Sequence, residues 1–331
     1  MKRKLKKWLI PARPALPAAV LEHARAAASK YAKGSRAAST WRAYESDWRI
    51  FSEWCAKVTR PALLAETSTV ALFIAAQAKL GIAPSTLNRR LAAIRLIHVG
   101  AKVASPHDAL EVAEVMRGVR RAWKRPVAQK APALDTEIKK MADAVEPQTL
   151  KGMRDRALLL LGFAGAFRRS ELVALDVEHL TARDRGLDVL IANSKTDQEG
   201  RGQVVAIPRV PRSPYCPKQA VSDWMVAAAI ESGPVFVRLH RGDRVGTSRL
   251  TDQSVALIIK ALAAKVGLDA SRYAGHSLRS GFLASAARNR ASIFKMADQS
   301  RHKSLDVLRG YVRNEARFED HAADGLLQRG R

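Results

Sequence analysis

The chain has 331 residues, 47% hydrophobic and 27% charged, a balance that excludes a disordered or fibrous polypeptide and allows two domains with separate cores. Its 57 Lys and Arg face 31 Asp and Glu for a net charge of +26, a self-repulsion that points to a polyanionic partner, nucleic acid above all. Cys55 and Cys216 lie far apart without metal-binding spacing, and no run approaches the ~20 apolar residues of a membrane span, which excludes a disulfide scaffold, a zinc module and a helical membrane protein.

Residues 1–34 read as a flexible basic tail. Arg13 and three prolines interrupt any signal-peptide core, so a cytoplasmic, nucleoid-associated location is expected. From 35 to 123 only helical signals occur. Ser39 is a plausible N-cap, after which Trp41, Tyr44, Trp48, Phe51, Cys55 and Val58 recur at three- and four-residue steps. A second helix carries Val70, Phe73, Ile74 and Gln77 and stops at Gly81. A third starts at Pro84-Ser85 and carries Leu87, Leu91, Ile94 and Ile97, and a fourth runs through Leu110, Ala113, Val115, Met116 and Val119. Together they form a helical bundle. Residues 124–132 are a linker, the end of a basic stretch holding Arg120, Arg121, Lys124, Arg125 and Lys130 around Pro126. With this charge, the stretch reads as a strap across a DNA backbone rather than a solvated spacer.

The second domain, 133–331, is mixed. A helix from Arg154 to Phe167 is apolar nearly all round and should be buried. Leu187–Ile191 and Gln203–Ile207 read as strands joined by the polar, Gly-bearing loop from Asn193 to Gly202. Helical patterns return from Thr251 to Val266 and from Ser277 onward. The expected fold is therefore mainly α: an N-terminal helical bundle followed by an α+β domain with a small antiparallel sheet.

An ordered set of cationic and hydroxyl residues runs through this second domain. Arg168 follows the buried helix, with Glu171 three residues on; Lys195 sits on the hairpin loop; His276-Ser-Leu-Arg279 opens the later helices; His302 and Tyr311 close them. Moving a phosphodiester onto a protein hydroxyl needs a nucleophile, cations for the charge that develops on phosphorus, and an acid for the departing oxygen. A free tyrosine, with its pKa near 10, is a poor nucleophile unless cations and a base surround it. Each piece alone is weak, since an H-x-x-R box arises by chance about once in a chain this rich in Arg. Order, spacing and secondary structure together carry the reading.

The set resembles the tyrosine recombinase (phage integrase) family over the whole chain, with the layout of its Cre-like two-domain members. The resemblance implies a SAM-like core-binding bundle before the linker and a catalytic domain after it. It implies that Arg168 and Arg279 grip the scissile phosphate, where planar guanidiniums suit the geometry. His276 would serve as hydrogen-bond partner or base, His302 as donor to the phosphate, and Lys195 as acid for the leaving 5′ oxygen. Tyr311 would attack to give a 3′-phosphotyrosine, with a Holliday junction following. Glu171 would orient Arg168. Because the bond energy stays in the phosphotyrosine, neither a metal nor any other cofactor is implied. One departure stands out: Arg301 occupies the place before His302 where the family usually has glycine, which leaves the local backbone open and suggests an added phosphate contact.

The resemblance also implies a double-stranded site with inverted-repeat arms. Thr40, Arg42, Thr86 and Arg89, at the polar starts of two helices, are candidates for its major groove, with Arg121 and Lys124 for its backbone. Capping and surface charge explain the same residues equally well. A terminal helix over 312–331, with Phe318, Leu326 and Leu327 at helical spacing, would dock into a neighbouring protomer, giving a homotetramer on DNA and a monomer or weak dimer off it. A type IB topoisomerase and a non-catalytic architectural DNA-binding protein are the competing readings. Target sequence and biological outcome depend on groove geometry and DNA deformability, which a sequence does not reveal.

Overall fold

The computed structural model describes residues 18–124, 130–192, 202–302 and 304–315. The chain divides near residue 127 into two compact units. No described helix is long and apolar enough to cross a membrane.

The first unit is helical throughout its described residues. Helix α1 (Ala18–Gly34) stands where the second half of the tail was expected, residues 1–17 lying outside the described residues, and its described side chains are exposed. Its alanine-rich sequence has high intrinsic helix propensity, so the backbone forms a helix without an apolar stripe to advertise it. Helices α2 (Ala38–Lys57), α3 (Thr67–Lys79), α4 (Pro84–Gly100) and α5 (Leu110–Ala122) follow the apolar periods expected. Ser39 falls inside the first turn of α2, whose N-cap is Ala37. Gly81, at φ +77°, ends α3 as a left-handed residue, with Ile82 N donating back to Gln77 O at 3.2 Å. The core gathers Phe51, Val70, Phe73, Ile74, Leu87 and Ile94. Phe51 and Trp54 both meet the Phe73 ring edge-on, with centroids 5.0 and 5.4 Å away.

A buried charged cluster lies inside this bundle. The Asp47 carboxylate, 1% exposed, receives Arg89 Nε at 2.6 Å and Arg89 Nη2 at 3.1 Å, and Arg90 beside it donates to Gln77. A buried carboxylate without such partners would cost several kcal/mol, so these pairs fix how α2 and α4 meet.

The second unit is mixed, as expected, with its sheets small and antiparallel. Helices α6 (Asp135–Asp143) and α7 (Leu150–Ala164) lead to the short α8 (Arg169–Val173). Leu158, Leu159, Leu160 and Leu161 are all buried, which is why the C-terminal half of α7 shows no polar face. Strands β1 (Leu180–Arg183), β2 (Gly186–Ile191) and β3 (Gln203–Pro208) form one sheet in that order, with Val189 opposite Val205. The loop between β2 and β3, and Lys195 with it, lies outside the described residues. Helix α9 (Pro217–Ala227) precedes the hairpin β4 (Val237–His240) and β5 (Arg244–Arg249), and α10 (Asp252–Lys265) follows, capped by Thr251. Helices α11 (Ser277–Arg288), α12 (Ile293–Ser300) and α13 (Leu305–Glu315) close the unit. Strands β1, β4 and β5 escape the sequence pattern because mostly exposed, polar residues build them.

The stretch entering this unit is pinned to it. Ala131 N donates to Arg272 O at 2.7 Å, Ala133 N to Ser277 O at 2.9 Å, and Asp135 N to Ser285 Oγ at 2.9 Å. Gly281 lies so close beneath that a Cβ there would stand 1.7 Å from the Ala133 carbonyl oxygen. Residues 131 and 132, expected in the linker, thus lie next to the base of α11.

Candidate functional site

The sharp bend Gly165-Ala166-Phe167 ends α7 and delivers Arg168 to the N-cap of α8. Ala166 takes φ +46°, a left-handed conformation that L-residues adopt only at some cost. The bend aims the Ala166 carbonyl inward, where Arg279 Nη1 donates to it at 2.8 Å and Arg301 Nη2 at 3.3 Å. Glu171, one turn along, is 3% exposed. Its Oε2 accepts from the Arg168 backbone N–H at 2.9 Å and its Oε1 from Arg168 Nη1 at 2.5 Å. The i, i+3 spacing seen in the sequence therefore closes the start of α8 and ties down the Arg168 side chain in one motif.

The H-x-x-R box lies at the other wall. His276 occupies the N-cap position of α11, and Arg279 emerges from its first turn, 1% exposed. Arg279 Nη2 comes within 3.3 Å of His302 Nδ1 and 3.5 Å of Nε2. Nearly equal distances to both ring nitrogens place it against the imidazole without a well-directed bond to either. The better-formed contact of His302 is to Ser300 Oγ, 2.7 Å from Nδ1. Since Ser300 Oγ also donates to Met296 O at 2.5 Å, its proton is committed and Nδ1–H is assigned as the donor, leaving Nε2 without a proton. Tyr311, on α13, sits half-buried against Leu283, Met296 and Leu308.

Three guanidiniums and two imidazoles thus surround one carboxylate, and the mutual repulsion shows in the proton affinities. Burial, with Arg168 and Arg301 close by, pulls Arg279 down to about 10, so it stays charged at neutral pH. His302 is pushed down to about 4, by burial first and then by Arg279 and Arg168. His276 moves down for the same reasons. Burial pushes Glu171 up, but Arg301 and Arg168 overcome it and hold the carboxyl below its ordinary range. Burial raises the Tyr311 phenol, and Arg279 opposes that rise.

A testable stability effect follows from His302. Its folded-state value of about 4 lies below the ordinary 6.5, so between those values the unfolded chain binds a proton that the fold refuses. Denaturant unfolding at pH 7, 6 and 5 is therefore expected to show stability falling as pH falls, with a shallower slope in His302→Gln. An equal slope in the two proteins would show that His302 is not the group responsible.

The sequence-derived set divides cleanly. Arg168, Glu171, His276, Arg279, His302 and Tyr311 are all brought to this region of the second unit, and Lys195 lies outside the described residues. In the first unit Arg42, Arg121, Lys124 and Arg89 are exposed and Thr40 and Thr86 half-buried, with Arg89 also paired to Asp47. Arg301 differs from the added phosphate contact suggested for it: its side chain is 2% exposed and points inward to Glu171 Oε2, 2.7 Å away. Its backbone adopts φ +57°, ψ +42°, the conformation for which glycine is suited.

A cationic cradle beside a tyrosine, on a mainly helical unit with small sheets, suits the class of enzymes that move a phosphodiester onto a side-chain hydroxyl. Two family models match the chain, the phage integrase family over residues 134–317 and the phage integrase N-terminal SAM-like domain over residues 31–104. An integrase/recombinase xerD homolog of Selenomonas ruminantium is 36% identical over 89% of this chain and 87% of its own length. Recombinase cre of Escherichia phage P1 is 22% identical over 83% of this chain and 84% of its own. In fold the chain is similar to XerH site-specific recombinase bound to palindromic difH substrate, with a TM-score of 0.58 and 14% identity over 80% of this chain and 73% of that one. The Tn1549 transposon integrase in complex with transposon right end DNA gives 0.57 and 14% over 88% of this chain and 96% of that one. The chain belongs to the phage integrase family of tyrosine recombinases.

Proposed function

We propose that this protein cuts and rejoins double-stranded DNA at a specific site bearing inverted-repeat arms, through a phosphotyrosine and a Holliday junction. The observation that carries the proposal is the convergence of Arg168 and Arg279 through the Ala166–Glu171 bend, beside His302 and Tyr311. In this reading the Tyr311 oxygen bonds to phosphorus as the bond to the 5′ oxygen breaks. The phenolic proton passes to His276 or solvent, and Lys195 supplies a proton to the departing 5′ oxygen. Arg168 and Arg279 carry the charge that develops on the non-bridging oxygens. One phosphoester replaces another, so a 5′ hydroxyl from a second strand reverses the step without ATP or a bound metal.

Exposed Arg42, Arg121 and Lys124 are proposed to neutralise backbone phosphates of that DNA, with Thr40 and Thr86 toward the bases. Assembly as a tetramer on DNA fits an apolar cavity of about 700 Å³ in the second unit, lined by Ile138, Leu160, Phe163, Phe282 and Met296. Residues 316–331, outside the described residues, carry Phe318, Leu326 and Leu327. Docking of that segment from a neighbouring copy would match its apolar residues to the apolar lining of the cavity.

The test uses a nicked duplex carrying the sequence that flanks the gene, incubated with the protein and resolved on a denaturing gel. A covalent adduct on the 3′ side with a kinase-labelled free 5′ hydroxyl is expected, and exchange between two such duplexes separates recombination from topoisomerase-like nicking and closing. Retarded DNA on a native gel with no adduct on any strand would favour the architectural alternative.

A further inference from the structure

We infer that Arg301 is a positioning residue: it locks the turn carrying His302 to the bend carrying Arg168, and so sets how both face the phosphate. The inference rests on the proposed function for its catalytic meaning but on geometry for the tie itself. Arg301 lies in the left-handed turn between α12 and α13, immediately before His302. From there its guanidinium reaches back across the fold, donating through Nη1 to Gly165 O at 3.1 Å and to Gln299 O at 2.8 Å. Through Nη2 it donates to Glu171 Oε2 at 2.7 Å and to Ala166 O at 3.3 Å, and the guanidinium lies over the Phe167 ring, 5.1 Å from its centroid. One side chain thus touches four of the residues from 165 to 171, the stretch that delivers Arg168.

Charge gives this contact its consequence. Glu171 accepts Arg168 on Oε1 and Arg301 on Oε2, so each guanidinium takes one oxygen. Without Arg301, the whole buried carboxylate would fall to Arg168, turning it toward Glu171 and away from a phosphate. Ala166 O would keep Arg279 alone, and the His302 turn would lose its anchor to the opposite wall. Substituting glycine separates the side chain from the backbone, because glycine adopts φ +57° without strain.

Arg301→Gly and Arg301→Lys are therefore compared on the nicked duplex under single-turnover conditions. Arg301→Gly is expected to cleave about 10²-fold more slowly, the scale of a misplaced catalytic group, with DNA affinity and its salt dependence unchanged. Arg301→Lys, which keeps the charge but not the fork, is expected to recover part of the rate. Glu171→Gln added to Arg301→Gly is expected to recover part as well, since it removes the carboxylate left unshared. The His302 ring, titrated by NMR in the free protein, reads the tie independently of any cleavage. Its pKa rises and its Nδ1 signal changes in Arg301→Gly, with partial return in Arg301→Lys. A rate loss that only tracks melting temperature, with the His302 signals unmoved, would show an ordinary structural residue. A weaker, less salt-dependent DNA complex would instead show a direct phosphate contact, and either result overturns the inference. If the wild-type protein forms no adduct but the His302 signals respond as stated, the proposed function fails while the tie stands.

Discussion

With Tyr311 replaced by phenylalanine, no covalent adduct is expected on the nicked duplex. The rate should fall by at least about 10⁴-fold, the scale on which loss of a covalent nucleophile acts. The exchange removes one oxygen and leaves the ring against Leu283, Met296 and Leu308, so the melting temperature should hold. DNA binding should hold too, since no charge changes. The other two tyrosines of the second unit offer no substitute. Tyr273 is 5% exposed, donates to Glu137 Oε1 at 2.9 Å, and is pushed up to about 12 by burial and that bond. Tyr215 is held to Asp143 Oδ2 at 2.7 Å. An adduct that persists in Tyr311→Phe would mean that the nucleophile lies elsewhere and that the role given to α13 is wrong.

Replacing Arg279 is expected to produce the next largest loss. Arg279→Ala should lower single-turnover cleavage by about 10³-fold or more, since one preorganised donor on a developing oxyanion is commonly worth 10²–10³ and this side chain offers two arms. The lysine variant tests why a guanidinium is needed. Burial and the neighbouring cations bring Arg279 down to about 10, which still leaves it charged at working pH. Lysine starts about two units lower than arginine. Under the same forces it would begin losing its proton in mildly alkaline solution. Arg279→Lys should therefore be weak at neutral pH and weaker still as pH rises toward 9, a range in which the wild type keeps its Arg279 charge. A pH profile parallel to wild type would refute this electrostatic account of the position.

The parts of this architecture that could be read from sequence are those in which neighbours along the chain decide the outcome. Leu158 to Leu161 announce a buried helix and the Val70–Gln77 run a helical stripe. The candidate set stood out because its members fall in a fixed order with matching elements between them. Helix α1 was missed because alanine propensity leaves no apolar period, and β1, β4 and β5 because their exposed residues do not alternate. What no local pattern contains is the inward turn of Arg301, whose partner Glu171 is 130 residues away. The same holds for Arg89: its position at the start of α4 suggested DNA, and Asp47, 42 residues earlier, claims the guanidinium.

The pinning of residues 131–135 against α11 has a consequence for exchanging parts between related proteins. Ala133 N closes on Ser277 O, and Gly281 leaves no room for a methyl group beneath the Ala133 carbonyl. Those residues therefore travel with the second unit as a structural piece of it, whatever helical bundle precedes them. A chimaera that imports a foreign bundle to retarget the enzyme should be joined upstream of Lys130, in the stretch after Lys124. A seam placed after Ala133 would replace the strand of backbone on which the helix bearing Arg279 rests.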